Sequence, residues 1–263
     1  IIVDGSESSQ YISGLLMGLP LLEQNSILIV ENPVSKPYIS MTLETLCKFG
    51  VEIFNKDFKE YHITGDQKYK ACNYMVESDW SSASYWLVAA ALGNPLVLDG
   101  LSMTSKQADI AMLQALKVAN CNVKFEKKSL KVDGLMRQAF SFDATDSPDL
   151  FPALVTLATF CEGKTTLKGV SRLTNKESNR GLVLQKEFSK LGVRIEINDD
   201  EMDIFGGGEL KNNLVNSHND HRIAMCLAIV GTKIEKGIEI ENAEAVSKSY
   251  PEFWEHLEML ITD

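Results

Sequence analysis

Histidine is scarce in this chain, four in 263 residues, and positive charge is in deficit: 26 Lys and Arg against 36 Asp and Glu leave a net charge of −10. That deficit argues against a nucleic acid or an anionic membrane surface as the main partner, so any anionic ligand must be held by a local cluster of cations. Long apolar runs are also missing. One near Leu87 to Leu92 is broken by Gly93-Asn94-Pro95, and none approaches the roughly 20 residues that span a bilayer. There is no CxxC pair. Cys47, Cys72, Cys121, Cys161 and Cys226 are scattered through apolar contexts, a pattern of buried thiols in a reducing compartment that points to the cytoplasm. Neither an initiator Met nor a signal-peptide apolar core is found; the chain opens on Ile1-Ile2-Val3-Asp4-Gly5, which reads as the end of a strand. The sequence is therefore expected to lack its beginning. What is present is a globular composition, 44% hydrophobic and 24% charged, which excludes disordered, collagen-like and coiled-coil classes. The length allows one large domain or two smaller ones.

A repeat gives that length more meaning. Four apolar helical stretches each begin at a polar cap: Ser8-Ser9-Gln10 before Tyr11 to Leu22, Ser81-Ser82-Ala83-Ser84 before Tyr85 to Leu92, Ser147-Pro148-Asp149 before Leu150 to Phe160, and Asn219-Asp220-His221-Arg222 before Ile223 to Val230. Their starts lie about 70 residues apart. A short β-branched strand follows each, at Ile27 to Val30, Leu96 to Leu98, Thr165 to Leu167 and Ile238 to Ile240. In the first three units an amphipathic helix comes next (Met41 to Phe49, Ile110 to Val118, Leu182 to Leu191), ending near Gly50, Ala119-Asn120 and Gly192. Two alternating strands close each unit: Val51 to Phe54 with Glu60 to Ile63, Val123 to Glu126 with Leu130 to Val132, and Val193 to Ile197 with Met202 to Phe205. A last helix is expected over Pro251 to Ile261. The reading is an α/β architecture of repeated α-β-α-β-β units, four in number with the fourth truncated.

The unusual polar residues sit at the caps. Unpaired N–H groups at a helix start favour a phosphate or carboxylate, so Ser8, Ser9 and Gln10 either form an anion site or simply cap the helix. Asp149, behind Pro148, taken alone reads as a helix cap, with a role as a base the alternative. Lys176 and Arg180, at i and i+4, would share one helical face with Glu177 beside them. Such a face either binds a phosphate and moves a proton or is a solvated surface. Arg222 opens an otherwise apolar helix, where burying it is costly unless an anion pairs with it. His218 and His221 are three apart but lack a third ligand at suitable spacing, so no metal is expected. Gly206-Gly207-Gly208 is followed by no Gly-Lys-Ser/Thr and reads as a flexible turn rather than a phosphate loop.

Taken together, Asp4-Gly5-Ser6-Glu7-Ser8-Ser9-Gln10, Ser35-Lys36-Pro37-Tyr38-Ile39, Ser81-Ser82-Ala83-Ser84-Tyr85, Lys176-Glu177-Ser178-Asn179-Arg180, Asn219-Asp220-His221-Arg222-Ile223-Ala224-Met225 and Ser247-Lys248-Ser249-Tyr250-Pro251 resemble the 5-enolpyruvylshikimate-3-phosphate synthase family, in order from end to end. The resemblance implies the enolpyruvyl transferase fold, an inside-out α/β barrel, with two domains of three repeats each closing on substrates between them. It implies a cytoplasmic, monomeric transferase of the shikimate pathway, acting in chorismate and aromatic amino-acid biosynthesis. The enzyme would move the enolpyruvyl group of phosphoenolpyruvate to the 5-hydroxyl of shikimate 3-phosphate without metal or organic cofactor. On that resemblance Ser8, Ser9, Gln10, Ser35 and Tyr38 hold shikimate 3-phosphate, and Asp149 acts in deprotonating its 5-hydroxyl. Lys176 contacts the shikimate side, Glu177 takes part in proton transfer at the phosphoenolpyruvate methylene, and Arg180, Arg222 and Lys248 clamp phosphoenolpyruvate with His221 beside the clamp.

The family's Lys-Ser, Arg and Gly-Thr motifs, which lie before Asp-Gly-Ser, are not found ahead of Asp4-Gly5-Ser6 in this sequence, and Arg172 stands where the family often carries Asn. Residues 1–75 are then expected to be the last repeat of the N-terminal-side domain and residues 77–263 a nearly complete three-repeat second domain, with little or no turnover from this chain alone. Two alternatives share the fold: UDP-N-acetylglucosamine enolpyruvyl transferase, and a non-catalytic binding module of the kind found among RNA-end-processing relatives. The net charge of −10 counts against RNA.

Overall fold

In the computed structural model, residues 1–94, 96–126, 129–133 and 137–262 are described. The chain divides into two compact units: Ile1–Glu77 with Thr104–Ala108, and Ser78–Met103 with Asp109–Asp263. In the first, β1 (Ile2–Asp4), α1 (Ser9–Gly18), β2 (Ser26–Glu31), α2 (Lys36–Lys48), β3 (Ile53–Lys56) and β4 (Glu60–Ile63) form a sheet in the order β1-β2-β4-β3 under two helices. β1 and β2 are parallel, with Asp4 opposite Glu31, and the other pairs are antiparallel. The apolar spacing on the helices gives the core: Ile12 and Leu16 of α1 and Ile39 and Leu46 of α2 pack on Leu28, Val30, Tyr61 and Ile63. Each such side chain contributes roughly 1.5–3 kcal/mol of burial.

The second unit continues with α3 (Trp80–Ala91), β5 (Leu98–Asp99), α4 (Met112–Val118), β6 (Asn122–Glu126), β7 (Ser129–Asp133), β8 (Ser141–Asp143), α5 (Phe151–Thr159), β9 (Gly163–Lys168), α6 (Arg180–Lys190), β10 (Arg194–Asn198), β11 (Glu201–Gly206), β12 (Leu214–Asn216), α7 (His221–Gly231), β13 (Glu239–Glu241) and α8 (Phe253–Thr262). Its sheets are β5-β7-β6, β8-β9-β11-β10 and β12-β13. Helices α3, α5 and α7 are apolar on nearly every face, so they are buried almost throughout and pack on one another, with strands against them. The strands of the described residues form four open sheets rather than a closed barrel.

The order β8-β9-β11-β10 repeats β1-β2-β4-β3 strand for strand, with the first two parallel and the rest antiparallel. The repeating unit is therefore β-α-β-α-β-β, one strand longer at its start than the α-β-α-β-β expected. The opening strands β8 and β12 are three residues long and bury only Phe142 and Val215, too few for a visible alternation. The expected strand at Leu96 to Leu98 is reduced to Leu98–Asp99. Gly206, expected in a flexible turn, is the end of β11, where a Cβ would collide with the carbonyl oxygens of Ala158 and Cys161. The backbone here needs glycine for close approach to the end of α5. Of the five thiols expected to be buried, Cys121, Cys161 and Cys226 are, but Cys47 and Cys72 are exposed; all five are free. Among the described residues no helix is long and apolar enough to cross a membrane.

Candidate active site

Parallel pairing decides where the functional residues go. Because β1 and β2 run parallel and end in register, the segments leading into α1 and α2 leave the same edge of the sheet. Gly5 makes the first exit possible: its N–H donates to the Glu31 carbonyl at 2.7 Å, and a Cβ there would lie 2.7 Å from Val30 Cγ1. At the α1 start the Ser8 hydroxyl accepts the Gln10 N–H at 3.2 Å, Ser9 is buried and Gln10 is exposed. At the α2 start Ser35 is buried in a left-handed conformation (φ 51°), and its carbonyl accepts the Tyr38 N–H at 3.1 Å. Pro37 in the first turn suits a helix start, where its missing N–H is not needed. Ser8 thus has a capping role already.

In the second unit the parallel pairs β8/β9 and β12/β13 deliver the rest. Asp149 lies in the 3-10 turn Pro148–Leu150 that follows β8. Lys176, Glu177 and Ser178 lie in a bend before α6, and Arg180 is the first residue of that helix. Lys176 and Arg180 therefore do not share a helical face as expected, because the Asn179 side chain caps the helix three residues after Lys176 by accepting the Leu182 N–H. Asp220 caps α7 by accepting the Arg222 N–H, so His221 and Arg222 open that helix. Lys248 ends the 3-10 turn Ala243–Lys248, after β13.

Arg180 sits at the centre of this group, 1% exposed. Its Nε donates to Asp220 Oδ2 at 2.8 Å, its Nη1 to Asp149 Oδ1 at 2.7 Å, and its Nη2 to Glu177 Oε2. Arg222 Nη2 reaches the other Asp149 oxygen at 3.2 Å, and Lys176 Nζ lies 3.6 Å from Asp149 Oδ1. Fully buried Asp220 also accepts from the Ser178 hydroxyl at 3.0 Å. Lys248 Nζ donates to the Asn219 carbonyl at 2.6 Å. The His221 ring is buried, its Nδ1 without a hydrogen-bond partner among the described residues and 4.0 Å from Glu177 Oε1.

These contacts set the charges. Burial alone would raise the Asp149 carboxyl, but Arg222, Lys176 and Arg180 outweigh it and hold it far below the usual carboxylate range. Asp220 is lowered too, since the charge and hydrogen bond of Arg180 overcome its burial. His221 is pushed down by burial and then by Arg222, which favours the neutral ring. Arg222, although buried, is held more firmly protonated by Asp149. An ionised carboxylate caged by three cations, with a neutral imidazole and a second carboxylate alongside, can bind anions and relay protons.

The chain matches the family model for EPSP synthase (3-phosphoshikimate 1-carboxyvinyltransferase) over residues 1–257. It belongs to that family. Its relatives named 3-phosphoshikimate 1-carboxyvinyltransferase include one from Clostridium acetobutylicum, 40% identical over 257 residues, 97% of this chain and 60% of the relative. Another, from Brachyspira hyodysenteriae, is 40% identical over 248 residues, 93% of this chain and 59% of the relative. Among solved structures, EPSP synthase from Acinetobacter baumannii superposes with a TM-score of 0.82 at 25% identity, over 99% of this chain and 62% of the other. The enolpyruvyl transferase NikO from Streptomyces tendae shares the fold, with a TM-score of 0.75 at 17% identity, over 98% of this chain and 63% of the other. The chain spans about 60% of the length of these curated relatives.

Of the residues singled out from this family's motifs, Asp149, Lys176, Glu177, Arg180, His221 and Arg222 form one contact network in the second unit, with Lys248 joined to it through Asn219. Ser8, Ser9, Gln10, Ser35 and Tyr38 belong to the first unit. Sequence reasoning gave Asp220 no role of its own. The signal was available, since an Asp directly before an apolar helix is a strong N-cap. Half-buried Arg172, in the Val170–Leu173 turn, adds a further cation, whose pKa is lowered because burial outweighs the opposing charges of Asp146 and Asp149.

The network should make this unit acid-sensitive. Asp149 and Asp220 have folded-state values below their ordinary 3.8, so the stability they contribute is present above that value and lost as pH falls below it. His221 lies below its ordinary 6.5 when folded, so the unfolded chain takes up its proton first and stability also falls as pH drops through 6.5. Thermal denaturation across pH should show a shallow loss from pH 7 to 5 that His221→Asn removes, and a steeper loss below about pH 4 that it leaves unchanged. Stability rising towards pH 5 would contradict these assignments.

Proposed function

We propose that the protein carrying this chain transfers the enolpyruvyl group of phosphoenolpyruvate to the 5-hydroxyl of shikimate 3-phosphate, giving 5-enolpyruvylshikimate 3-phosphate and phosphate. Family membership supports this, and the single observation that carries it is the ionised Asp149 caged by Lys176, Arg180 and Arg222. In this reading Ser8, Ser9, Gln10, Ser35 and Tyr38 hold shikimate 3-phosphate, the serines at a helix start that favours its phosphate. Arg222 and Lys248 take the phosphate and carboxylate of phosphoenolpyruvate. Arg180 joins them by giving up one of its three carboxylates, and Lys176 faces the shikimate side. Asp149 accepts the hydroxyl proton as the oxygen bonds to C2 of phosphoenolpyruvate, and Glu177, with His221 beside it, delivers a proton to the methylene carbon. Return of a proton from that carbon to Glu177 then restores the double bond as the C–O bond to phosphate breaks, the phosphate leaving with the proton that Asp149 took up.

The cage makes Asp149 a weak base until substrate arrives. An anionic phosphoenolpyruvate neutralises Arg222 and its neighbours, so the basicity of Asp149 rises only when there is a hydroxyl to deprotonate. By repeat order we assign residues 1–75 to one repeat of the N-terminal-side domain and residues 77–263 to three repeats of the second. The scattered free thiols support a reducing, cytoplasmic setting, and the family resemblance a monomer.

Phosphate release by the protein carrying this chain is the test. Release is expected with phosphoenolpyruvate plus shikimate 3-phosphate and not with UDP-N-acetylglucosamine in its place; the reverse result would move the protein to the other branch of the fold. Titration of shikimate 3-phosphate into Ser9→Ala, Gln10→Ala and Lys176→Ala should show weakened binding. Three unaffected affinities would favour a non-catalytic module.

A further inference from the structure

The turn that joins β12 to α7 carries the polar start of α7, and it has an unusual conformation. His218 and Asn219 are consecutive left-handed residues, with φ of 52° and 58°. Asparagine and histidine are among the non-glycine residues that enter that region most often, but two in succession still carry a conformational cost that the surrounding bonds must offset. Within the turn Ser217 Oγ accepts the Asn219 N–H at 3.1 Å, and the Ser217 carbonyl accepts the Asp220 N–H at 3.0 Å. From outside, the β13 end holds the same segment through Ser217 Oγ to the Asn242 carbonyl at 2.8 Å and Asn216 Nδ2 to Glu241 Oε2 at 2.7 Å, and one side chain on α6 engages it at two points. Glu187, on α6, is 0% exposed. Its Oε1 lies 2.9 Å from His218 Nε2, and its Oε2 accepts the Asn216 N–H at 2.9 Å.

Lys190 Nζ, 2.6 Å from Oε2, supplies a counter-charge on the same helix, and Lys186 lies 3.8 Å from Oε1. Burial would raise the Glu187 carboxyl, but these hydrogen bonds lower it overall and keep it ionised. The turn leads on to the anion-binding groups. The Asn219 carbonyl holds Lys248 Nζ, and Asp220 receives Arg180 before Arg222 opens α7. Helix α6 begins with Arg180 and carries Glu187 two turns later, so the same rigid element fixes both ends of this arrangement.

We propose that Glu187 is a positioning residue for the phosphoenolpyruvate site: by gripping His218 and Asn216 it holds the left-handed turn that aims Lys248 and Arg222 at the substrate anion. This rests on the function proposed above. Glu187→Gln keeps the size of the side chain but loses its charge and one acceptor oxygen. KM for phosphoenolpyruvate is expected to rise about tenfold, with KM for shikimate 3-phosphate within about twofold, as for loss of a group that orients a ligand-binding residue. Amide hydrogen exchange at His218, Asn219 and Asp220 should accelerate, while the interior of α7 stays protected.

His218→Asn, which tolerates the turn but cannot reach Glu187, should produce the same KM change. The effects of the two changes should then be less than additive in the double variant, because both remove the Glu187–His218 interaction. Additive effects, equal changes in both KM values, or protection lost throughout α6 and α7 would overturn the proposal and leave Glu187 a general stabiliser. If the unsubstituted protein shows no turnover with these substrates, the functional reading fails separately. The exchange pattern of the variants then decides whether Glu187 holds the turn.

Discussion

Arg180→Met is expected to destabilise the second unit by about 3–5 kcal/mol, the usual cost of removing one partner from a buried ion network and stranding the others. The side chain is 1% exposed and bonds to carboxylates on three segments: Asp149, Glu177 and Asp220. Methionine fills similar space but leaves fully buried Asp220 with only the Ser178 hydroxyl and the Arg222 N–H as donors. Arg180→Lys should recover only part of the loss, because one ammonium cannot serve three carboxylates arranged around a planar fork. Urea denaturation followed by circular dichroism measures both. A loss under about 1 kcal/mol for Met would mean that the pairs behave like solvent-screened surface bridges.

Asp149→Asn should have the largest effect on turnover. In the enolpyruvyl-transfer reading the carboxylate takes the proton of the attacking hydroxyl, and an amide cannot, so kcat should fall by about 10²- to 10⁴-fold. Binding should move in the other direction or not at all. Arg222 and Lys176 lose the carboxylate that now engages them at 3.2 and 3.6 Å, so both become freer to hold phosphoenolpyruvate, and its KM should not rise. Steady-state kinetics of the protein carrying the chain separates the two. A kcat reduced less than tenfold would remove Asp149 from proton transfer, and a raised KM with unchanged kcat would make it a binding residue instead.

The repeat, the apolar helices and the motif residues were legible in the sequence because their signals are local. A cap, an apolar stripe and a terminal glycine occupy neighbouring positions, and each is read within one or two turns of chain. Strands β8 and β12 were not legible, since three residues with one buried side chain carry no period; pairing with β9 and β13 makes them strands. Lys176 and Arg180 have helical spacing, yet Asn179 caps α6 between them, and the network to Asp149 and Asp220 settles the Lys176–Asn179 bend.

By itself, then, the sequence determined the α/β class, the order of the repeats, the family and the residue types at each helix start. Tertiary structure alone decided what those residues do to one another. Asp149 and Asp220 lie 31 and 40 residues from Arg180 in the chain, and no local pattern records that parallel strands bring them to one guanidinium. The physical reason is that caps and periodicity depend on neighbours in sequence. The charge of a buried carboxylate depends on neighbours in space, which exist only once the sheets have paired.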